Sequence, residues 1–228
     1  CTLIWSFGTI MSYTVYYFPI RGYGDAIRMI LFHAGVEFND VHISFEDWPK
    51  RKCNTPFGKV PVLQIGDKQY AETAAICRYL GTKYGLQSET AEDGLLVDSV
   101  VDAAFDLCKS VFEPAYQTND INKRKKCLND QSKHFGGMFK YVEKQLGTKP
   151  GPFILGTKLT WGDFVLLSHW LMYEQVMNES AFNSTENIRV HFEAMKDLSS
   201  VKAFLAKTKH IQPVDYAGLT YKGEKGSS

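Results

Sequence analysis

The sequence is short of several things, and each shortage excludes a class of protein. Its 228 residues carry a formal net charge of +1, so no global field points to nucleic acid or to an anionic membrane. The one basic run, Lys123-Arg124-Lys125-Lys126, has no aromatic residues interleaved with it. It reads as a solvated helix start or face. Five cysteines, at 1, 53, 77, 108 and 127, form no CxxC pair and leave an odd count. No disulfide framework and no thioredoxin-type redox pair follow from them. The six histidines show no HxxxH or HExxH spacing, so no metal site is expected.

The opening "CTLIWSFGTI" is apolar but too short to cross a bilayer. It reads as the tail of a signal sequence or a retained extension, with Met11 a natural start behind it. Two sequons, Asn178-Glu179-Ser180 and Asn183-Ser184-Thr185, crowd a polar stretch and suit a glycosylated surface loop. Together these favour an extracellular protein over a cytoplasmic one, although free cysteines weigh the other way.

What is present is an ordinary globular balance, with 44% hydrophobic and 22% charged residues. Residues 13–18 alternate as a strand, with Tyr13, Val15 and Tyr17 on one face and Thr14, Tyr16 and Phe18 on the other. Asp25 to Ala34 has helical spacing and a natural stop at Gly35. "DVHIS" (40–44) is a second strand, and 46–59 is dense in charge and breakers, so it reads as a long loop. Residues 60–65 and 68–71 flank Gly66-Asp67 as a hairpin. Thr73 opens a helix running toward Gly85. The order β-α-β-loop-β-β-α makes a compact α/β unit.

After "YGLQSETAEDG" (84–94) the pattern turns helical. Val97, Val100, Val101, Ala104, Cys108 and Val111 share one helix face, while Asp98, Asp102 and Asp106 stand four apart on another. Thr160 and Asp163 have capping-box spacing, ahead of a helix that is apolar nearly all round. The expected organisation is an extension over 1–11, an α/β domain over 12–86, a connector over 87–93, an all-helical domain over 94–218 and a tail over 219–228.

Five motifs in order, "YYFPIRG", "DWPKRK", "PFGKVPVLQIGD", "ETAAICRYL" and "LTWGDF", resemble glutathione transferases of the sigma class, over residues 12 to 215. That class includes haematopoietic prostaglandin D synthase. The resemblance implies a thioredoxin-like α/β N-terminal domain, an all-α C-terminal domain and glutathione as co-substrate. It also implies a homodimer acting on small hydrophobic electrophiles.

It implies roles for particular residues too. Tyr17 matches the hydroxyl that stabilises the glutathione thiolate; strand alternation alone does not choose between Tyr16 and Tyr17. Val60, before a cis Pro61, matches the backbone pairing site for the cysteinyl part; on local grounds Pro61 could equally begin an edge strand. Thr73, at a helix start, matches the site of the glutamyl carboxylate; a plain N-cap fits it as well. Glu72 matches the contact to the glutamyl ammonium, where the sigma pattern has Gln. Trp48 and Lys52 match the glycyl end. Asp106 matches a residue reaching the glutathione of a partner subunit.

Three departures bear on substrate. Tyr23 stands at the position of the synthase's arginine near the thiolate, and Glu113 at that of a pocket tryptophan. Asp102 and Asp106 match two of the synthase's three magnesium-binding aspartates, and Phe105 takes the place of the third. Prostaglandin H2 isomerase activity is therefore secondary in this reading. A non-catalytic relative, either a ligand carrier or a crystallin-type structural protein, is the rival that fold alone does not separate.

Overall fold

A computed structural model describes residues 12–109, 120, 122–123, 137–177, 185–209 and 211. Residues 1–11, Val111, Glu113, the sequon asparagines Asn178 and Asn183 and the tail 219–228 lie outside the described residues.

The chain opens with β1 (Tyr13–Tyr17), α1 (Tyr23–His33) and β2 (Phe38–His42). The short α2 (Trp48–Arg51) follows, then β3 (Val62–Ile65), β4 (Lys68–Tyr70) and α3 (Thr73–Lys83). The sheet order is β2-β1-β3-β4. β1 runs parallel to β2 and antiparallel to β3, and β4 closes the antiparallel edge. A parallel pair needs a crossover, and α1 supplies it. Together these elements form the thioredoxin-like domain.

The alternation read in β1 is realised. Tyr13, Val15 and Tyr17 are buried, while Thr14 and Tyr16 are half-buried on the opposite face. Tyr16 donates its hydroxyl hydrogen bond to Gln64 Oε1 at 3.0 Å, which makes it a sheet residue. Tyr17 stays on the face covered by the helices. Gly35 stands just past α1 at φ 65°, the left-handed position that ends a helix without a Cβ penalty.

The segment read as a loop over 46–59 is partly helical. α2 is followed by a 3-10 turn over Lys52–Asn54. Pro49 sits in the first turn of α2, where its missing N–H costs nothing. Breaker content was therefore a sign of a short helix start rather than of irregular chain.

The helical domain begins with α4 (Ala91–Leu107), inside the stretch read as a connector. Thr90 caps it by accepting from the Asp93 amide at 3.1 Å. Val97, Val100, Val101, Ala104 and Cys108 form its buried face. The acidic stripe divides: Asp98 accepts from Arg78 Nε and Nη2 at 3.1 and 3.0 Å, whereas Asp102 and Asp106 are exposed. Helix α5 is described over residues 137–146. It is followed by α6 (Trp161–Met177), α7 (Glu186–Asp197) and α8 (Ser199–Lys207).

Every residue from Trp161 to Trp170 is buried, so α6 is the centre of this domain. The Thr160–Asp163 pair starts it. Asp163 Oδ2 accepts from the Thr160 amide and hydroxyl, each at 2.7 Å. Oδ1 takes the Ile154 amide at 2.8 Å and lies 3.2 Å from His191 Nε2. One buried carboxylate thus ties a loop, a helix start and α7 together. The two domains meet closely: a Cβ on Gly81 of α3 would lie 2.7 Å from Trp161 Cβ, and the Trp161 amide donates to the Leu86 carbonyl at 2.9 Å. Among the described residues no helix is long and apolar enough to cross a membrane.

Candidate active site

The sheet and α3 deliver their ends to one cleft. A cavity of about 600 Å3 is lined by Val60 and Pro61 before β3, Glu72 and Thr73 at the start of α3, Tyr23 at the start of α1, and Phe105 and Asp106 on α4. A larger cavity of about 770 Å3 lies between α1, β2 and α8. It holds none of the candidate site residues, whereas the smaller one is lined by Val60, Pro61, Glu72, Thr73 and Asp106.

The Val60–Pro61 bond is cis, as the resemblance implies. Thr73 is the first residue of an eleven-residue helix and is buried. Its turn presents unpaired N–H groups and the positive end of the helix dipole to the cleft. Glu72 is held at φ 69°, ψ 108°. A non-glycine residue there stores about 1–3 kcal/mol of strain, which persists only where surrounding structure enforces it. Such strain clusters at binding sites, and Glu72 lines this cavity directly before α3.

Tyr17 closes β1 and is 4% exposed. A Cβ on Gly22 would lie 2.9 Å from its hydroxyl and 3.3 Å from Met172 Sδ. The hydroxyl therefore sits at the seam between α1 and α6 and does not line the cavity wall. Its neighbour Phe18 has its ring centroid 5.8 Å from that of Tyr17. Phe18 stacks on Phe45 and meets Trp48 edge-on at 5.4 Å, so Trp48 reaches the Tyr17 end through one ring. The Lys52 stem passes over Gly58, where a Cβ would be 3.3 Å from Lys52 Cε. Neither Trp48 nor Lys52 lines the cleft.

The opposite wall was not read from the sequence as a unit. Tyr23 stacks on Phe105 at 5.5 Å and 28° and donates its hydroxyl to Cys108 Sγ at 3.3 Å. His169 stands edge-on to both rings. It is fully buried, and burial pushes its pKa down to about 4. It is therefore neutral, with Nδ1–H donating to the Val165 carbonyl at 2.7 Å. Its Nε2 meets no hydrogen-bond partner among the described residues. The Phe105 ring forms part of an aromatic wall. Tyr23 and Phe105 are more than eighty positions apart, so no local spacing could signal their stacking.

The arrangement is a cleft lined by the start of α3, the Val60–Pro61 backbone and an aromatic wall, on a thioredoxin-like domain joined to a helical one. Residues 11–82 match the glutathione S-transferase N-terminal domain and residues 105–208 the glutathione S-transferase C-terminal domain. Glutathione S-transferase 2 of Manduca sexta is 36% identical over 152 residues, covering 67% of this chain and 74% of the relative. Two solved structures are alike over most of the chain. The glutathione S-transferase of Ascaris lumbricoides has a TM-score of 0.75 at 29% identity, covering 86% of this chain and 97% of that one. The prostaglandin synthase D of Nilaparvata lugens has a TM-score of 0.77 at 28% identity, covering 89% and 99%. The chain belongs to the glutathione S-transferase family, whose co-substrate is glutathione.

Proposed function

We propose that this chain is a sigma-like glutathione transferase that ionises the glutathione thiol with Tyr17 and transfers the sulfur to small hydrophobic electrophiles. The observation that carries the reading is the convergence of Val60, Thr73 and an aromatic wall on one cleft. A free thiol ionises near pH 8.5, so little thiolate exists at neutral pH. A hydroxyl donating to the sulfur favours the anion and lowers that value. The thiol proton leaves to solvent. The sulfur lone pair then forms the S–C bond while the leaving group departs with its electron pair.

In this reading the Val60 backbone pairs with the cysteinyl part, and the Thr73 hydroxyl and amide hold the glutamyl carboxylate. Glu72 faces the glutamyl ammonium, while Trp48 and Lys52 serve the glycyl end. The protein acts as a homodimer in which Asp106 of one protomer reaches the glutathione of its partner. Prostaglandin H2 is a secondary substrate: the likeness to a prostaglandin synthase supports it, and Tyr23 in place of an arginine weakens it. The two sequons make secretion part of the proposal.

The test is conjugation of glutathione to a generic aryl halide, with glutathione affinity measured alongside. Tyr17→Phe is expected to keep binding and to lower kcat by about one to three orders of magnitude. Full activity in that variant overturns the role of Tyr17. Binding without turnover in the wild-type protein supports the non-catalytic carrier instead.

A further inference from the structure

Behind Tyr17 lies a cluster of charge, buried at Asp25 and Arg28, that the thiol chemistry above does not use. Arg28 of α1 is fully buried, and its guanidinium carbon stands 5.6 Å from the centroid of the Tyr17 ring, over its face. Two carboxylates hold it there. Nε donates to Asp40 Oδ1 at 2.9 Å, and Nη1 donates to Asp25 Oδ1 at 3.3 Å. Each carboxylate has a second partner. Asp25 Oδ2 receives Arg21 at 3.2 Å, and Asp40 Oδ2 lies 3.0 Å from His42 Nε2. Arg21 in turn donates to the Thr208 carbonyl and hydroxyl at 3.0 and 2.9 Å. Thus α1 supplies Arg21, Asp25 and Arg28, and β2 supplies Asp40 and His42. Burying a guanidinium is expensive unless it is paired, and this one is paired with Asp25 and Asp40 while it stands over the Tyr17 ring.

We propose that Arg28 is a positioning residue for the thiol chemistry: its guanidinium, held over the face of the Tyr17 ring, makes the Tyr17 hydroxyl a stronger donor to the glutathione sulfur. A cation over an aromatic face is attracted by the ring's π density, more strongly when both are shielded from water. As the hydroxyl gives up proton density to the sulfur, the ring becomes more electron-rich and the attraction grows. The cation therefore favours the state in which the hydroxyl donates most, without touching glutathione. Asp40 acts in the opposite sense, since its carboxylate partly neutralises the guanidinium. The inference rests on the assignment of Tyr17 to the sulfur.

The test is the apparent pKa of the bound thiol, read from the ultraviolet absorbance of the thiolate in protein saturated with glutathione. Arg28→Gln is expected to raise it by about one pH unit with glutathione affinity unchanged, and Arg28→Lys to restore most of the difference. Asp40→Asn keeps an oxygen to accept from Nε but removes the opposing charge, so it is expected to lower the value. Asp40 is partly exposed, so this variant decides the matter even where replacing buried Arg28 unfolds the chain. Both shifts are expected to vanish in a Tyr17→Phe background. Unchanged values in Arg28→Gln or Asp40→Asn, or shifts that persist without the Tyr17 hydroxyl, overturn the inference while leaving Tyr17 in its role. An unchanged value in Tyr17→Phe alone overturns the underlying assignment instead.

Discussion

The Tyr17 hydroxyl rests against Gly22: a Cβ at that glycine would stand 2.9 Å from the oxygen. Gly22 also sits at φ 141°, a region that side chains other than hydrogen rarely adopt. Glycine is thus required twice, once for the backbone turn into α1 and once for the space that the hydroxyl fills. Gly22→Ala is expected to displace the hydroxyl and to lower kcat/KM at least about tenfold. Conjugation kinetics at saturating glutathione check it, with a thermal melt to separate loss of fold from loss of alignment.

Thr73 gives a prediction with the opposite kinetic signature. Its hydroxyl and the α3 amides are assigned to a carboxylate that is bound equally in the ground and transition states. Thr73→Val keeps the shape and removes the hydroxyl. A hydrogen bond to a charged group contributes about 1.5–3 kcal/mol, so the KM for glutathione is expected to rise about ten- to hundredfold while kcat hardly changes. A fall in kcat at constant KM would show that Thr73 acts on the reacting sulfur instead.

The contrast between these two residues shows what was legible in sequence. Strand alternation put Tyr16 and Tyr17 on opposite faces, and the Gln64 contact of Tyr16 agrees with that. The choice of Tyr17 came from motif order, because period two is blind to which face meets a ligand. The helix start at Trp161 was readable because a capping box is local chemistry, whereas Thr73 is not the N-cap of α3 but its first residue, after Glu72, with no side-chain cap. The Tyr23–Phe105 wall was not readable, because it is a contact between α1 and α4 with no local pattern to announce it. The Arg28–Tyr17 contact was missed for a related reason. A buried arginine in an apolar helix face looks like a break in the pattern until its partners Asp25 and Asp40 are placed around it.

Acid should weaken the fold through His169. Its folded pKa is held at about 4 by burial, while the Val165 carbonyl pulls slightly back. In the unfolded chain it titrates near the ordinary value of about 6.5. Between these limits the unfolded chain binds a proton that the folded one refuses. The contribution is therefore complete above about pH 6.5 and is lost as pH falls toward 4, by roughly 3 kcal/mol across the window. Burial lowers the His33 pKa as well, which steepens the same slope. Urea midpoints at pH 7 and pH 5 are expected to differ in the wild-type protein and to draw together in His169→Phe. An equal gap in both would mean that the acid sensitivity lies elsewhere.

Asp163 is the residue whose loss should damage the helical domain most. It is fully buried and accepts four contacts, from the Ile154 amide, the Thr160 amide and hydroxyl, and His191. Removing it strands two backbone N–H groups where water does not reach, each at a cost of about 1–3 kcal/mol. It also unties α7 from the start of α6. Asp163→Ala is therefore expected to cost about 3–5 kcal/mol, whereas Thr160→Val, which forfeits one hydroxyl contact, should cost about 1 kcal/mol. Asp163→Asn belongs near the alanine variant. Its amide keeps one acceptor oxygen, but its NH2 must then face either the Thr160 or the Ile154 N–H, donor against donor. Urea denaturation of the three variants checks the order. Equal losses for Thr160→Val and Asp163→Ala would place the stabilisation in the threonine cap alone, and remove the carboxylate from the centre of the domain.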